Sequence, residues 1–318
     1  MSQTRPKVLL YEKMHRVGTA LLEETCDVIY AESLDEAYLL KKTREVDAII
    51  IRANGAVTKE MIVGSPDLKV IGRHGVGLDA IDLAAAKSSG IVVVNTPVAN
   101  SESVAEHFLV LTLILAKKVR QADIALRKGH WGARYELIGT ELKGKTLGVV
   151  GFGKIGQQVA RICHSGLDMQ VLYDDVVRQE QMEAEIGAKK VDRENLFTNA
   201  DAVSLNLPLL PATRHVINAG LLGLMKPTSI IINMARGPVW VESDVVEALV
   251  SGQIAGAGAD VFEQEPADKD NPLFQLDNFV GTPHMSAHTE EAMIKMSLVA
   301  EDVLAVLEGR TPKYPVVV

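Results

Sequence analysis

Residues 146–165 run from the apolar stretch Thr-Leu-Gly-Val-Val through Gly151-Phe-Gly153-Lys-Ile-Gly156 into the helical segment Gln-Gln-Val-Ala-Arg-Ile-Cys-His-Ser. A glycine-rich turn set directly between a strand and a helix is the context of a dinucleotide fingerprint. Its glycines have separate work: one makes the turn, one lets a pyrophosphate approach the backbone, and one allows tight helix-strand packing. The helix N-terminus adds attraction for phosphate charge. Asp174 ends the next strand, Met-Gln-Val-Leu-Tyr, where a carboxylate binds the adenine-ribose diol and repels a 2′-phosphate. NAD is therefore expected over NADP, a preference moderated by Arg178 close by in sequence.

Around this unit, short apolar, β-branched runs alternate with helical segments: residues 8–11, 48–52, 70–72, 91–95, 147–150, 170–173, 202–205, 230–234 and 279–280. Such alternation predicts an α/β fold with parallel sheets. Ser33 with Glu36 and Ser103 with Glu106 have capping-box spacing. The second pair is expected to open a long helix over 103–128, too apolar for a one-sided surface helix and so buried on several faces. A last helical stretch is expected over 290–308.

With 318 residues the chain exceeds what one core usually serves, so two domains are expected. A net charge of -8 without a dense Lys/Arg stretch argues against a nucleic-acid surface. Cys26 and Cys163 lie in no metal or redox spacing and read as reduced structural thiols. The apolar core near the N-terminus is too short for a signal peptide, and no run approaches a membrane span. The expected location is the cytoplasm.

Three further segments put polar groups just after apolar strands: Asn233-Met-Ala-Arg236-Gly237, Asp260-Val-Phe-Glu263-Gln-Glu265-Pro266 and Thr282-Pro283-His284. In open α/β sheets the ligand crevice lies at the carboxyl ends of strands. His284 and His288 invite a metal reading, but Pro283 argues against a helix carrying both and no third ligand is evident, so no metal is expected.

With these segments on the page, the chain resembles the D-2-hydroxyacid dehydrogenase family, and within it most closely the phosphoglycerate dehydrogenases lacking a C-terminal regulatory extension. Further motifs carry the likeness: Gly72-Arg73-His-Gly75-Val-Gly77-Leu-Asp79, Asn95-Thr-Pro97 with Asn100-Ser101 and Ala105-Glu106, and Pro208-Leu-Leu-Pro211-Ala-Thr213. The resemblance implies Arg236 as the carboxylate-binding arginine, its planar fork suited to a 2-keto acid. It implies His284 as the general acid/base and Glu265 as its carboxylate partner. Glu263 is the competing assignment, and Glu265 is preferred because it precedes Pro266 as in the family's Glu-Pro position. For NAD the resemblance implies Val76, Lys154, Ile155, Leu207, Thr213, Met234, Ala235, Asp260, Ser286 and Ala287 beside Gly151, Gly153, Gly156 and Asp174. For substrate it implies Arg52, Ala53, Arg73, Val76, Gly77 and Arg134, besides Arg236.

Arg52, Arg73 and Arg134 match positions that phosphoglycerate dehydrogenases use around a phosphate, Arg134 from a neighbouring subunit. The expectation is a 2-hydroxy acid with an anionic 3-substituent. Departures at Ala53-Asn54-Gly55 and His284-Met-Ser-Ala-His288 leave hydroxypyruvate, glyoxylate or sulfolactate as alternatives. The resemblance implies two Rossmann-like or flavodoxin-like doubly wound domains with a cleft between them. Residues 1–98 with 288–318 are expected to form the substrate domain and 99–287 the NAD-binding domain. The long helix is expected to pair subunits into a homodimer or tetramer. Rival readings are an NAD-sensing, corepressor-like interaction protein and an oxidoreductase of formate or phosphite.

Overall fold

The computed structural model describes residues 5–316 and divides into two compact units. One holds the chain through Asn100 together with the segment from His288 onward; the other is Ser101–Ala287. Each is built on a wholly parallel sheet, the α/β class that the alternation predicts.

In the first unit β1 (Lys7–Leu10), β2 (Asp27–Tyr30), β3 (Ala48–Ile51), β4 (Val70–Arg73) and β5 (Val92–Asn95) lie in the order β2-β1-β3-β4-β5. This is the flavodoxin-like order, in which the winding reverses between β1 and β3. All four residues of β3 are buried, as expected of a strand covered by helices on both faces of its sheet. Leu9, Ile49 and Ile71 share one buried cluster with Met61 and Ile81, while Val8, Ile50 and Val70 share another with Val299 and Val303. The last two lie on the helix Val299–Leu307, so the end of the chain completes the core of the first unit. The stretch expected as one helix there is two, Glu290–Ser297 and Val299–Leu307.

In the second unit β6 (Thr146–Val150), β7 (Gln170–Asp174), β8 (Lys189–Lys190), β9 (Ala202–Leu205), β10 (Ile230–Asn233), β11 (Gly256–Ala259) and β12 (Phe279–Gly281) are ordered β12-β11-β10-β9-β6-β7-β8. The winding reverses between β6 and β9, which places the glycine turn after β6 at the switch point.

Neither capping box forms. The helix Glu36–Lys42 has Asp35 at its N-cap, and Ser33 instead donates to the Asp35 carboxylate at 2.6 Å. The long helix begins at Ser101, which puts Ser103 inside its first turn. It also stops at Ala116, and a second helix, Val119–Arg127, follows after Lys118 turns left-handed at φ 53°. The freed Ala116 carbonyl accepts the Thr140 N–H at 2.7 Å. Burial on several faces holds for the first helix, whose Val104, Phe108, Leu111 and Ala116 are buried, and fails for the second, which buries none of its residues.

Candidate active site

At the switch point of the second unit the three fingerprint glycines differ as their spacing predicts. Gly151 has φ +87°, and a Cβ on it would stand 2.7 Å from the Asn206 carbonyl oxygen, so it serves both the turn and the close approach of the loop after β9. A Cβ on Gly156 would lie 2.3 Å from the Gly151 carbonyl oxygen and 2.9 Å from Val149 Cγ1, which only glycine avoids. Around Gly153 a Cβ would meet nothing within 4 Å. Gly153 is the N-cap of the helix Lys154–Leu167 and no side chain caps that helix, so the first-turn amides of Lys154, Ile155 and Gly156 remain available to an anion. This cradle fits a pyrophosphate.

A net of side chains surrounds the loop after β7. Asp175, which the sequence reading passed over, accepts the Phe152 N–H at 2.6 Å and the Val177 N–H at 2.8 Å and so ties the loop after β7 to the glycine turn. Asp174 pairs with Arg193 Nε at 2.7 Å through one carboxylate oxygen. Arg178, the residue that weakened the NAD preference, is bonded to Glu183 at 2.7 Å. Glu183 also receives the Tyr173 hydroxyl at 2.7 Å. Leu207 is half-buried, and Thr213 folds the following loop by donating to Pro208 O at 2.5 Å and accepting from Leu210 N at 2.8 Å. Met234 and Ala235 are largely buried at the end of β10.

The three catalytic candidates are presented by loops at the carboxyl ends of β10, β11 and β12. Asn233, fully buried, donates from Nδ2 to Arg236 O at 3.0 Å and accepts the Ala235 N–H at 3.1 Å, shaping the turn that carries Arg236. Asn233 heads a segment singled out in the sequence, but its role in shaping the turn has no local signature, because an Asn at a strand end reads equally as a simple turn residue. Glu265 Oε2 lies 2.8 Å from His284 Nδ1 and its other oxygen accepts the Phe262 N–H at 3.0 Å. Glu263 accepts the Glu242 N–H at 3.0 Å and faces His215, so the carboxylate beside His284 is that of Glu265. Burial on its own pushes the Glu265 carboxyl upward, but the bond to His284, its charge, the Phe262 N–H and the charge of Arg236 together hold it below its ordinary value. With Nδ1 engaged, Nε2 is the ring nitrogen that can meet a substrate oxygen, and the side chain is 53% exposed.

Asp260 is fully buried, and its carboxylate takes the Thr282 hydroxyl at 2.6 Å and the Met285 and Ser286 N–H groups, both at 2.8 Å. Ala287 packs half-buried against the core of the second unit. Between His284 and His288 the chain is irregular, the next helix beginning at Glu290. Arg134 is exposed, its guanidinium over the rings of Tyr135 at 4.6 Å and Trp131 at 5.7 Å, and it donates to the Tyr135 hydroxyl.

In the first unit Arg52 follows β3 at the other switch point, donating to Lys13 O at 3.2 Å with His288 Nε2 at 3.5 Å. Glu12, also unforeseen, clamps the next turn by accepting the Ala53 and Asn54 N–H groups at 2.6 and 2.8 Å. Arg73 braces its own loop, from Nε to Gly77 O at 2.6 Å and from a terminal nitrogen to His74 O at 3.1 Å, while the Val76 carbonyl accepts Asn95 Nδ2 at 3.0 Å.

Close to these arginines His74 is 2% exposed, and neither ring nitrogen has a hydrogen-bond partner among the described residues. Burial, with the charges of Arg52 and Arg73, pushes it down to about 4. A histidine that stays neutral when folded contributes full stability above the unfolded value of 6.5, and that stability is lost as pH falls toward 4. Denaturant titrations should therefore show wild type losing about 2–3 kcal/mol more than His74→Leu between pH 7.5 and 4.5. Parallel losses in the two proteins would contradict a neutral buried His74.

A family model described as "D-isomer specific 2-hydroxyacid dehydrogenase, NAD binding domain" matches residues 109–286. The chain is 44% identical over 306 residues to the D-3-phosphoglycerate dehydrogenase of Methanocaldococcus jannaschii, covering 95% of this chain and 58% of that protein. It spans about half the length of the several curated phosphoglycerate dehydrogenases it matches. It is 39% identical over 317 residues to the glyoxylate reductase of Thermofilum pendens, covering 97% of this chain and 93% of that one. The holo form of D-mandelate dehydrogenase from Rhodotorula graminis superimposes with a TM-score of 0.90 at 28% identity, covering 99% of this chain and 98% of the other.

Proposed function

Since this chain belongs to the D-isomer specific 2-hydroxyacid dehydrogenase family, with the NAD binding domain over residues 109–286, we propose that it interconverts a small D-2-hydroxy acid and its 2-keto acid with NAD. The observation that carries this reading is His284 Nδ1 held 2.8 Å from Glu265, within the electrostatic reach of Arg236. Bound NADH would supply the hydride in reduction, and bound NAD would accept it in oxidation. Arg236 clamps the substrate carboxylate with its guanidinium fork and polarises the reacting carbonyl. His284 delivers a proton from Nε2 to the carbonyl oxygen in reduction and removes it in oxidation, while Glu265 fixes the ring by its bond to Nδ1. Lys154, Ile155 and the fingerprint glycines would hold the pyrophosphate. Asp174 would meet the ribose diol beside its bond to Arg193. Leu207, Thr213, Met234, Ala235, Asp260, Ser286 and Ala287 would complete the cofactor's surroundings, and NAD would be preferred to NADP because Arg178 is occupied by Glu183.

For the substrate we propose an anionic 3-substituent met by Arg52, Arg73 and Arg134, with Ala53 and Gly77 framing it. Two charged guanidinium groups beside His74 support this reading. A second reading, glyoxylate or hydroxypyruvate, is favoured by the near-complete coverage of the glyoxylate reductase. Steady-state kinetics with NADH on the 3-phosphorylated keto acid, hydroxypyruvate and glyoxylate separates them. The first reading expects the phosphorylated acid to lead, and Arg52→Gln to lower its kcat/KM by about 10-fold or more, the loss of one charged hydrogen bond, while sparing glyoxylate. Equal efficiency on all three acids would overturn it.

Exposed apolar side chains on and after the helix Val119–Arg127, among them Leu126, Trp131, Tyr135 and Ile138, support a homodimer or a tetramer of such dimers. Cys26 and Cys163 are buried free thiols, which suits the reducing cytoplasm.

A further inference from the structure

His107 lies on the helix Ser101–Ala116, far in sequence from the residues assigned to chemistry above, yet its Nε2 is 2.9 Å from the Thr282 hydroxyl oxygen. That hydroxyl is in turn 2.6 Å from Asp260 Oδ1. The direction of these bonds follows from donor arithmetic. A carboxylate accepts only, and a threonine hydroxyl has a single hydrogen. Thr282 gives that hydrogen to Asp260, so His107 must present an N–H at Nε2 to the Thr282 oxygen. Burial keeps His107 below its ordinary range against the upward pull of the Asp260 charge, which favours the neutral ring with its proton on Nε2.

The chain of bonds ends on the backbone of the loop that carries His284. Asp260 accepts the His284 N–H at 2.8 Å through its carbonyl, the Met285 N–H through Oδ1 and the Ser286 N–H through Oδ2, both at 2.8 Å. Three consecutive amides are thus fixed by one residue. His284 itself has φ 49°, a left-handed conformation. A non-glycine residue stays there only when its surroundings over-determine it. Asp260 is anchored on the opposite side as well, its N–H donating to Asn233 O at 3.0 Å at the end of β10. Among the described residues the Asp260 side chain has one further support besides those loop amides, the Thr282 hydroxyl, and Thr282 is steadied by His107.

We propose that His107 and Thr282 are positioning residues for His284, acting as a directed hydrogen-bond chain, His107 to Thr282 to Asp260, that fixes the backbone from which the imidazole projects. This rests on the reading of His284 as proton carrier. Neither residue touches the reacting atoms, so their loss acts on catalysis by misplacing the ring.

Thr282→Val keeps the shape and removes the hydroxyl; Thr282→Ser keeps the hydroxyl and removes the methyl group. The experiment reads three quantities for each: kcat with NADH and the preferred keto acid, NADH affinity by fluorescence, and amide exchange at residues 284–286 by mass spectrometry. Thr282→Val is expected to lower kcat by about 10-fold to 100-fold, the cost of a small misplacement of a reacting group. Exchange at 284–286 should quicken and kcat should fall by a larger factor than NADH affinity, and Thr282→Ser should restore both kcat and exchange. His107→Phe should repeat the Thr282→Val result in weaker form. Wild-type kcat and exchange in Thr282→Val would overturn the proposal, as would a Thr282→Ser protein as impaired as the valine variant, since the hydroxyl would then be irrelevant. His284→Gln serves as the control. If it is inactive while Thr282→Val is normal, the positioning role alone fails; if it keeps full activity, the proton-carrier reading fails first.

Discussion

Replacing His284 by Gln is expected to lower kcat for keto-acid reduction by about 10²–10⁴-fold, the usual worth of a positioned general acid. In free energy this is about 3–5 kcal/mol of transition-state stabilisation. Glutamine retains a polar amide near the imidazole position, but it has no proton to release near neutral pH. The loss should fall on kcat, while NADH binding persists because the fingerprint turn and Asp174 lie at other strand ends. Glu265→Gln should give a smaller decline, since the ring remains but the carboxylate that fixes Nδ1 is gone. The pH dependence has a definite sign. Glu265 is held below its ordinary value of 4.5, so its contact with His284 is complete above pH 4.5 and fades only as pH falls below it. Steady-state kinetics across pH 4–9 checks both points, and a His284→Gln enzyme with wild-type kcat would end the assignment.

What the sequence disclosed depended on whether the deciding interactions were local. The glycine fingerprint was legible because each glycine answers to neighbours a few residues away or to open space, and Gly151, Gly153 and Gly156 take the three separate environments expected of them. Strands rich in β-branched residues, such as the Ile230–Asn233 strand, were equally plain. The strand Gly256-Ala-Gly-Ala259 was not, because nothing in its composition favours an extended chain. It exists because Ile232 and Leu111 from neighbouring elements fill the space above Gly258, a fact of packing with no local trace. The failed capping boxes teach the same lesson: Ser103 had the right spacing, but the helix had already begun at Ser101. Around the candidate site, Arg236, Glu265 and His284 were singled out through family motifs and Asn233 headed one of those segments, whereas Glu12 and Asp175 escaped notice. Their work is to bind backbone amides of loops, and no spacing rule marks a carboxylate or amide for that task.

Gly237→Ala is expected to be among the most disruptive single-methyl changes in the chain. A Cβ on Gly237 would stand 1.8 Å from the Phe262 carbonyl oxygen, 1.9 Å from its carbon and 2.4 Å from the Glu263 nitrogen. All three are backbone atoms, so no side chain can swing aside. Gly237 does not have a left-handed φ, and Gly→Ala at such a site would ordinarily stabilise by restricting the unfolded chain. Here the steric term reverses that sign, with a loss of about 3 kcal/mol or more, the upper range for overpacking. In a unit of this size that corresponds to a Tm lower by roughly 10 °C. The segment that must yield runs from Phe262 to Glu265, and Glu265 feels the charge of Arg236, the neighbour of Gly237. Activity should therefore fall even in whatever fraction remains folded, because Arg236 and the Glu265–His284 pair are driven apart. Gly153→Ala makes the opposite case, since its Cβ meets nothing within 4 Å: the fold should keep its Tm while NADH binding weakens where the pyrophosphate needs that space. Calorimetry and NADH titration on the two variants read both effects, and a Gly237→Ala protein with wild-type Tm would show that the loops after β10 and β11 are not packed as described.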